Sequence, residues 1–318
     1  VDKDKATFSL RSLSDKESLT PVLDTLKQLL TAPSFSPQTI QREKQTLFTT
    51  IRYMNEKPSS VANHAFYQAL YGKHPYGHSV FGTQSTLSKI KRPHIQAFFK
   101  THYTAHNATI AIVGNLTSAE AVKISNTLSE GLNSSPLTKT TPILSRAQKS
   151  HVEAINFPSN QTSTLMVGNY TLGGSGLISQ LAEEVRAKRG LTYGVYSNFK
   201  ALETPGPFTI SLATKSSKTK EALEVTQHTL FNFLAKGPTT QELNAAKQYL
   251  TGSFPLKLSS NASIGATLLN MGFYDLPTNY VDTYLDNIKK VSLADIKTAF
   301  SQTIDPNALT TITVGKHG

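Results

Sequence analysis

Leu19, Val22, Leu23, Leu26 and Leu30 recur at spacings of three and four with polar residues between them, the pattern of one buried helical face. Ala222, Val225, Thr229 and Phe233 repeat that spacing further along. Pro33 and Ser36-Pro37 stop the first helix and open a second from about Thr39 to Met54, because proline lacks the amide proton that a helix interior uses. Gly237-Pro238 places the same stop after the later helix. Alternating apolar and polar positions predict strands over Ile155–Phe157, Leu165–Tyr170, Tyr193–Phe199 and Phe208–Leu212. Gly173-Gly174 opens a predicted helix from Leu177 to Lys188. Strands and helices are therefore interleaved, with pairings of antiparallel type.

The order of elements occurs twice, about 200 residues apart, in three blocks. ATFSLRSLSDKESL matches GPFTISLATKSSKTKEAL, aligning Phe8 with Phe208 and Leu19 with Leu223, each an alternating strand that leads into a helix. Lys44-Gln45 in REKQTL matches Lys247-Gln248 in AAKQYL. HIQAFFKTHYTAHNATIAIVG matches DIKTAFSQTIDPNALTTITVG, a helix, a turn and an apolar strand ending at Gly114 and Gly315. A duplicated domain accounts for all three blocks. Asn133–Lys149, rich in Ser, Thr, Pro and Lys, reads as the linker and puts the boundary near residue 145, giving domains 1–145 and 146–318. Residues 151–205 precede Phe208, whereas seven residues precede Phe8, so the first copy is expected to lack roughly fifty residues at its amino end.

At 318 residues the chain is long enough for two such domains of about 150 residues each. Hydrophobic residues make up 38% and charged residues 17%, a globular rather than a disordered composition. No apolar stretch approaches the roughly 18 to 20 residues of a membrane-spanning helix. The absence of cysteine excludes disulfides, thiolate metal sites and cysteine nucleophiles, and with the Ser, Thr and Asn content it fits a bacterial periplasm better than the cytosol. The net charge of +11 favours acidic peptides or anionic surfaces. Lys and Arg are scattered over both copies with no block of five, so a nucleic-acid partner is not expected.

Candidate chemistry is sparse. H-E-x-x-H, H-x-x-E-H, G-x-x-x-x-G-K-[ST] and G-x-S-x-G are all absent from the chain. His74/His78 enclose Pro75 and Gly77 and cannot share a helical face. His102/His106 have no carboxylate close in sequence, and both pairs read as surface or loop histidines. His74–Gly77 (HPYG) reads as a turn. Gly173–Gly176 reads as a tight entry into a helix rather than a phosphate loop. Taken alone, Arg186 is a solvated cation at a helix end and Tyr193 a packed strand residue.

Leu172-Gly173-Gly174, followed by Glu184-Val185-Arg186-Ala187-Lys188-Arg189-Gly190-Leu191-Thr192-Tyr193, resembles the carboxy-half pattern of the pitrilysin/insulinase zinc metallopeptidases, which include mitochondrial processing peptidase and respiratory core subunits. Pro33-x-Phe35, Arg42-Glu43-Lys44, Glu56-x-Pro58, His74-Pro75-Tyr76-Gly77 and Gly82 fall in the family's order, so the resemblance covers essentially the whole chain. It implies an α+β fold of two homologous domains of processing-peptidase type, each a mainly antiparallel sheet covered by helices, the first incomplete at its amino terminus. The two domains would enclose a chamber for unfolded peptides.

Active relatives carry H-x-x-E-H early in the first domain and a Glu as third zinc ligand. Counting from Glu43 puts that ligand at Thr50, and no Asp or Glu lies between Glu43 and Glu56, so no zinc is expected on this chain. Zinc would sit in a partner or in an upstream segment. The resemblance gives Arg186 and Tyr193 the family's role of stabilising the substrate's developing oxyanion. Three readings follow. The chain is a zinc-free subunit working with a homologous partner that carries H-x-x-E-H, or a self-sufficient metallopeptidase lacking that segment here, or a non-enzymatic scaffold of core-subunit type.

Overall fold

A computed structural model describes residues 1–136, 160–204 and 206–315. The elements are α1 (Lys16–Thr31), α2 (Pro37–Glu56), α3 (Pro58–Tyr71), α4 (Gln84–Lys89), α5 (Arg92–His102), α6 (Ser118–Ser129), α7 (Asn160–Asn169), β1 (Val195–Phe199), β2 (Phe208–Leu212), α8 (Thr219–Lys236), α9 (Thr240–Ser253), α10 (Asn261–Phe273), α11 (Tyr280–Lys290) and α12 (Leu293–Thr303). Helices with one small antiparallel sheet make the class α+β. Several helix starts are capped as their sequences dictate. The Asp15 carboxylate accepts the Ser18 N–H at 2.8 Å, the Ser36 hydroxyl accepts the Thr39 N–H at 3.2 Å, and Thr239/Glu242 and Ser292/Asp295 form reciprocal capping boxes.

The described residues group into two units that are discontinuous in sequence. One comprises residues 1–57, 78–136 and 259–273, and the other residues 58–77, 160–258 and 274–315. Thus α3 belongs to the second unit and α10 to the first. The boundary near residue 145, most of the linker Asn133–Lys149 and the strand expected at Ile155–Phe157 lie outside the described residues.

Within the first unit, α1 lies against α6, where the Lys27 ammonium meets the Glu130 carboxylate at 2.6 Å. Phe35 adopts a left-handed φ of 44° and turns its ring edge-on to Phe99 at 5.5 Å, fixing the sharp entry to α2. The second unit holds the larger core. Val167, Leu172, Leu181, Val185, Phe233, Ile288, Ile296 and Phe300 are fully buried in it. His74–Gly77 forms a short turn there, with Tyr76 buried and its hydroxyl accepting the Thr204 N–H at 3.3 Å.

Two expectations are corrected. Leu165–Tyr170 is not a strand: Leu165 to Asn169 complete α7, and Tyr170 begins the π-helical turn that follows. α7 touches α9, α11, α12 and β1, so Thr162, Leu165 and Val167 are buried on more than one side. A helix packed all round loses the polar face that reveals its period, and a short apolar run then mimics a strand. Gly168 makes the contact with α12 close enough that a Cβ there would collide with Phe300 and stand 2.8 Å from Ile296 Cγ2. The helix expected over Leu177–Lys188 is helical but not α. A 3₁₀ turn at Gly176–Ile178 precedes π-helical turns at Ala182–Ala187.

Of the expected strands, Tyr193–Phe199 begins only at Val195 and pairs with Phe208–Leu212 in antiparallel register, Val195 opposite Leu212 and Phe199 opposite Phe208. The stretches beginning at Phe8 and ending at Gly114 and Gly315 join no ladder among the described residues. Alternation specifies the faces of a strand, whereas a ladder also needs a neighbour with free backbone groups beside it.

Candidate functional site

The segment carrying Arg186 and Tyr193 lies wholly in the second unit and is assembled from glycine, hydroxyl and amide contacts. Gly173 and Gly174 let a π-helical turn, Tyr170–Gly174, press against β1. A Cβ on Gly173 would lie 2.7 Å from the Ser197 amide nitrogen, and one on Gly174 would lie 2.7 Å from Asn169 Nδ2. The Asn169 side chain then ties the turn to β1, its Nδ2 donating to the Ser197 carbonyl at 3.1 Å and its Oδ1 accepting the Ser197 hydroxyl at 2.7 Å. The glycine pair is therefore a packing device inside a turn that continues from α7, rather than the entry to a helix that the sequence suggests.

Leu181 and Val185 anchor the next turns in the core, and the Ser179 hydroxyl accepts the Ala182 N–H at 3.3 Å. Gly190, at φ 59°, ends this helical run. Its N–H donates to the Arg186 carbonyl at 2.9 Å, and the Leu191 N–H donates to the Val185 carbonyl at 3.0 Å. The link to β1 is pinned at both sides. Thr214 donates its hydroxyl to the Leu191 carbonyl at 2.6 Å, and the Thr192 hydroxyl accepts the Gly194 N–H at 3.1 Å. Held between these bonds, Tyr193 stands 99% exposed. It is not the packed strand residue that its sequence context suggests. β1 begins two residues later, so Tyr193 lies in the link before the strand and outside the alternation that buries Val195 and Ser197.

Arg186 lies on the π-helical run, half-buried, and its guanidinium has no hydrogen-bond or ion-pair partner among the described residues. Its neighbours do. Glu184 accepts the Lys188 ammonium at 2.7 Å and the Arg189 guanidinium at 2.7 Å. These two hydrogen-bonded cations, Lys188 first, hold the Glu184 carboxyl below its ordinary value. Sequence reasoning passed over Glu184, although its i, i+4 spacing to Lys188 is legible. By drawing off two of the three cations, Glu184 leaves Arg186 available to an external acceptor.

A carboxyl with a lowered folded-state value contributes stability above its unfolded value near 4.5 and loses it as the pH falls through the folded one. Glu184→Gln is accordingly expected to lower stability at pH 7 by less than about 1 kcal/mol, since the pair is largely solvated. The gap between wild type and variant should narrow as the pH falls below 4.5 and close once it passes the lowered folded-state value, as read by urea unfolding across that acid range and at pH 7.

The described residues do not fit a catalytic zinc ion. Thr50 lies on α2 with its hydroxyl donating to the Thr46 carbonyl at 3.0 Å, so it is spent on its own helix and offers no carboxylate. Among the described residues no three of His, Cys, Asp and Glu come together as a metal site. His102 lies with its ring 4.3 Å from that of Phe98, and His106 falls in the short turn beyond α5. No helix of the described residues is long and apolar enough to cross a membrane.

Known proteins resemble this chain. A profile described as "Peptidase M16 inactive domain" matches residues 89–250, and one described as "Insulinase (Peptidase family M16)" matches residues 1–84. The chain is 26% identical over 317 residues to the "Non-peptidase homolog YmxG" of Helicobacter pylori, covering 93% of this chain and 72% of that one. It is 26% identical over 254 residues to the "Uncharacterized zinc protease YmxG" of Bacillus subtilis, covering 76% and 62%. It thus spans about three fifths of the length of the latter relative. A crystal structure of a "peptidase M16 inactive domain" from Pseudomonas fluorescens superposes with a TM-score of 0.87 at 29% identity, over 92% of this chain and 74% of that one. With the inactive-domain profile spanning half the chain and the insulinase profile the stretch before it, this chain belongs to the peptidase M16 family.

Proposed function

We propose that this chain is the zinc-free subunit of a two-chain peptidase. It supplies Arg186 and Tyr193 and part of an enclosed chamber to a homologous partner that carries H-x-x-E-H and the metal. The observation that carries this reading is the Arg186 guanidinium, which has no partner among the described residues because Glu184 pairs with Lys188 and Arg189, on the same support that projects Tyr193. A guanidinium and a phenol both donate, and both suit an oxygen that gains negative charge as water adds to a peptide carbonyl. The unsuitable ligand set at Thr50 and the likeness to a protein called a non-peptidase homolog support the division of labour. The edge of β2 that faces away from β1 supplies backbone groups for an extended substrate, binding it with little regard to sequence. A cysteine-free composition supports a bacterial periplasm as the compartment.

Mixing this chain with a homologous subunit that carries H-x-x-E-H is expected to restore peptide cleavage that neither shows alone, measured with a quenched fluorescent peptide. Stable association without any change in hydrolysis would instead make the chain a scaffold. A second reading, a self-sufficient metallopeptidase, draws support from relatives called zinc proteases. It requires zinc in the isolated full-length protein, and metal analysis by mass spectrometry separates the two.

A further inference from the structure

Tyr193 is placed by its backbone alone. Its side chain is exposed, with no packing to orient it, and among the described residues it makes no hydrogen bond and no ring contact. The chain around it is nonetheless held. Leu191 and Val195 are buried at either end of the link, residues 192–194. The antiparallel ladder stops short of that link, its last pair being Val195 opposite Leu212. Carried on in the same register, it would set Gly194 opposite Ala213 and Tyr193 opposite Thr214. Hydroxyl groups take over there from ladder bonds. The Thr214 hydroxyl donates to the Leu191 carbonyl at 2.6 Å, just before the link. The Thr192 oxygen lies 2.7 Å from the Ala213 carbonyl and 2.8 Å from the Gly194 carbonyl, with one proton to serve both, and it accepts the Gly194 N–H at 3.1 Å.

We infer that Thr192 and Thr214 are positioning residues for the Tyr193 phenol. Their hydroxyls lock the link to the residues that follow β2, and this lock fixes the Cα–Cβ stem from which the phenol reaches a scissile carbonyl. The inference rests on the role proposed above for Tyr193 and adds the groups that control it. Neither threonine belongs to the buried core, so neither is needed to fill space. Valine has the same shape but no hydroxyl, and in place of either threonine it would free the link from β2 on one side. A donor carried on a loosened stem misses an oxygen that it must meet to within a fraction of an ångström, which slows the chemical step without weakening substrate binding.

The test uses the full chain mixed with the subunit that carries H-x-x-E-H, and steady-state cleavage of a quenched peptide. Thr192→Val and Thr214→Val are each expected to lower kcat about tenfold, with KM within about twofold of wild type. Thr192→Ser and Thr214→Ser keep the hydroxyl and should recover most of that rate. The thermal midpoints of all four variants should lie within about 3 °C of wild type, since each substitution touches few bonds outside the core. In a Tyr193→Phe background the same valine substitutions should cost less than about twofold more, because the donor they position is gone. In the isolated chain, the Gly194 amide should exchange with deuterium faster in Thr192→Val than in wild type, having lost its acceptor.

Unchanged kcat in both valine variants, beside a slow Tyr193→Phe, overturns the positioning role and keeps the proposed function. So does a full tenfold loss on top of Tyr193→Phe, since the threonines would then act through some other group. Rate that serine does not recover makes the two side chains matter for shape alone, which also overturns the role. Unchanged kcat in Tyr193→Phe itself takes the phenol out of the proposed function, and the positioning role falls with it. Absence of cleavage by the wild-type pair removes both.

Discussion

Arg186→Ala is expected to lower the turnover of the reconstituted peptidase by about 100-fold or more, with the affinity of the two chains for each other unchanged. The reasoning starts from the ground state. A guanidinium already paired with a carboxylate would have to give up that pair to meet a transition state, and the exchange would return little. Arg186 has no such pair among the described residues, because Glu184 is engaged by Lys188 and Arg189. Its donors are thus preorganised for charge that develops only as water adds to the scissile carbonyl, and an interaction made only then raises kcat rather than substrate affinity. Tyr193→Phe removes a single donor from the same oxygen and is expected to cost a similar factor. Steady-state kinetics with a quenched peptide, alongside a pull-down or calorimetric titration of the partner, check both. Equal loss of assembly and of turnover would make the two residues structural, and unchanged kcat in both variants would end the assignment.

How far the sequence reaches depends on whether an element has a wet side. α1, α2 and α8 keep a polar face, and Pro33, Ser36-Pro37 and Gly237 punctuate them, so spacing and punctuation place them. β1 and β2 alternate cleanly and were found for the same reason. α7 has no wet side left once α9, α11, α12 and β1 surround it, and it was read as a strand. The grouping of α3 with the second unit and α10 with the first follows from which side chains meet in space, which no local pattern carries. In the site, residue types at a family's spacing pointed to Arg186 and Tyr193. What they could not convey was availability. The exposure of Tyr193 depends on Thr192 and Thr214 bonding across the link, and the freedom of Arg186 depends on Glu184 choosing other cations.

Phe300→Ala is expected to destabilise the second unit by about 3 to 5 kcal/mol, enough to consume much of a typical domain's stability. Phe300 is fully buried on α12, and its ring meets three others edge-on: Phe233 at 5.0 Å, Phe199 at 5.4 Å and Phe208 at 6.5 Å. It also lies against Gly168 of α7, a contact that admits no further atom. Truncation leaves a cavity that these neighbours cannot fill without moving β1, β2, α7 and α8 together, which is why a value near the upper end applies. Because Phe199 belongs to the strand that Asn169 and Ser197 fix beside the Gly173-Gly174 turn, the loss propagates to the support of Arg186 and Tyr193. Phe300→Leu keeps most of the volume and should cost about a third as much. Urea unfolding of the three proteins measures the series. A Phe300→Ala variant within about 1 kcal/mol of wild type would show that the aromatic cluster around α12 does not hold this unit together.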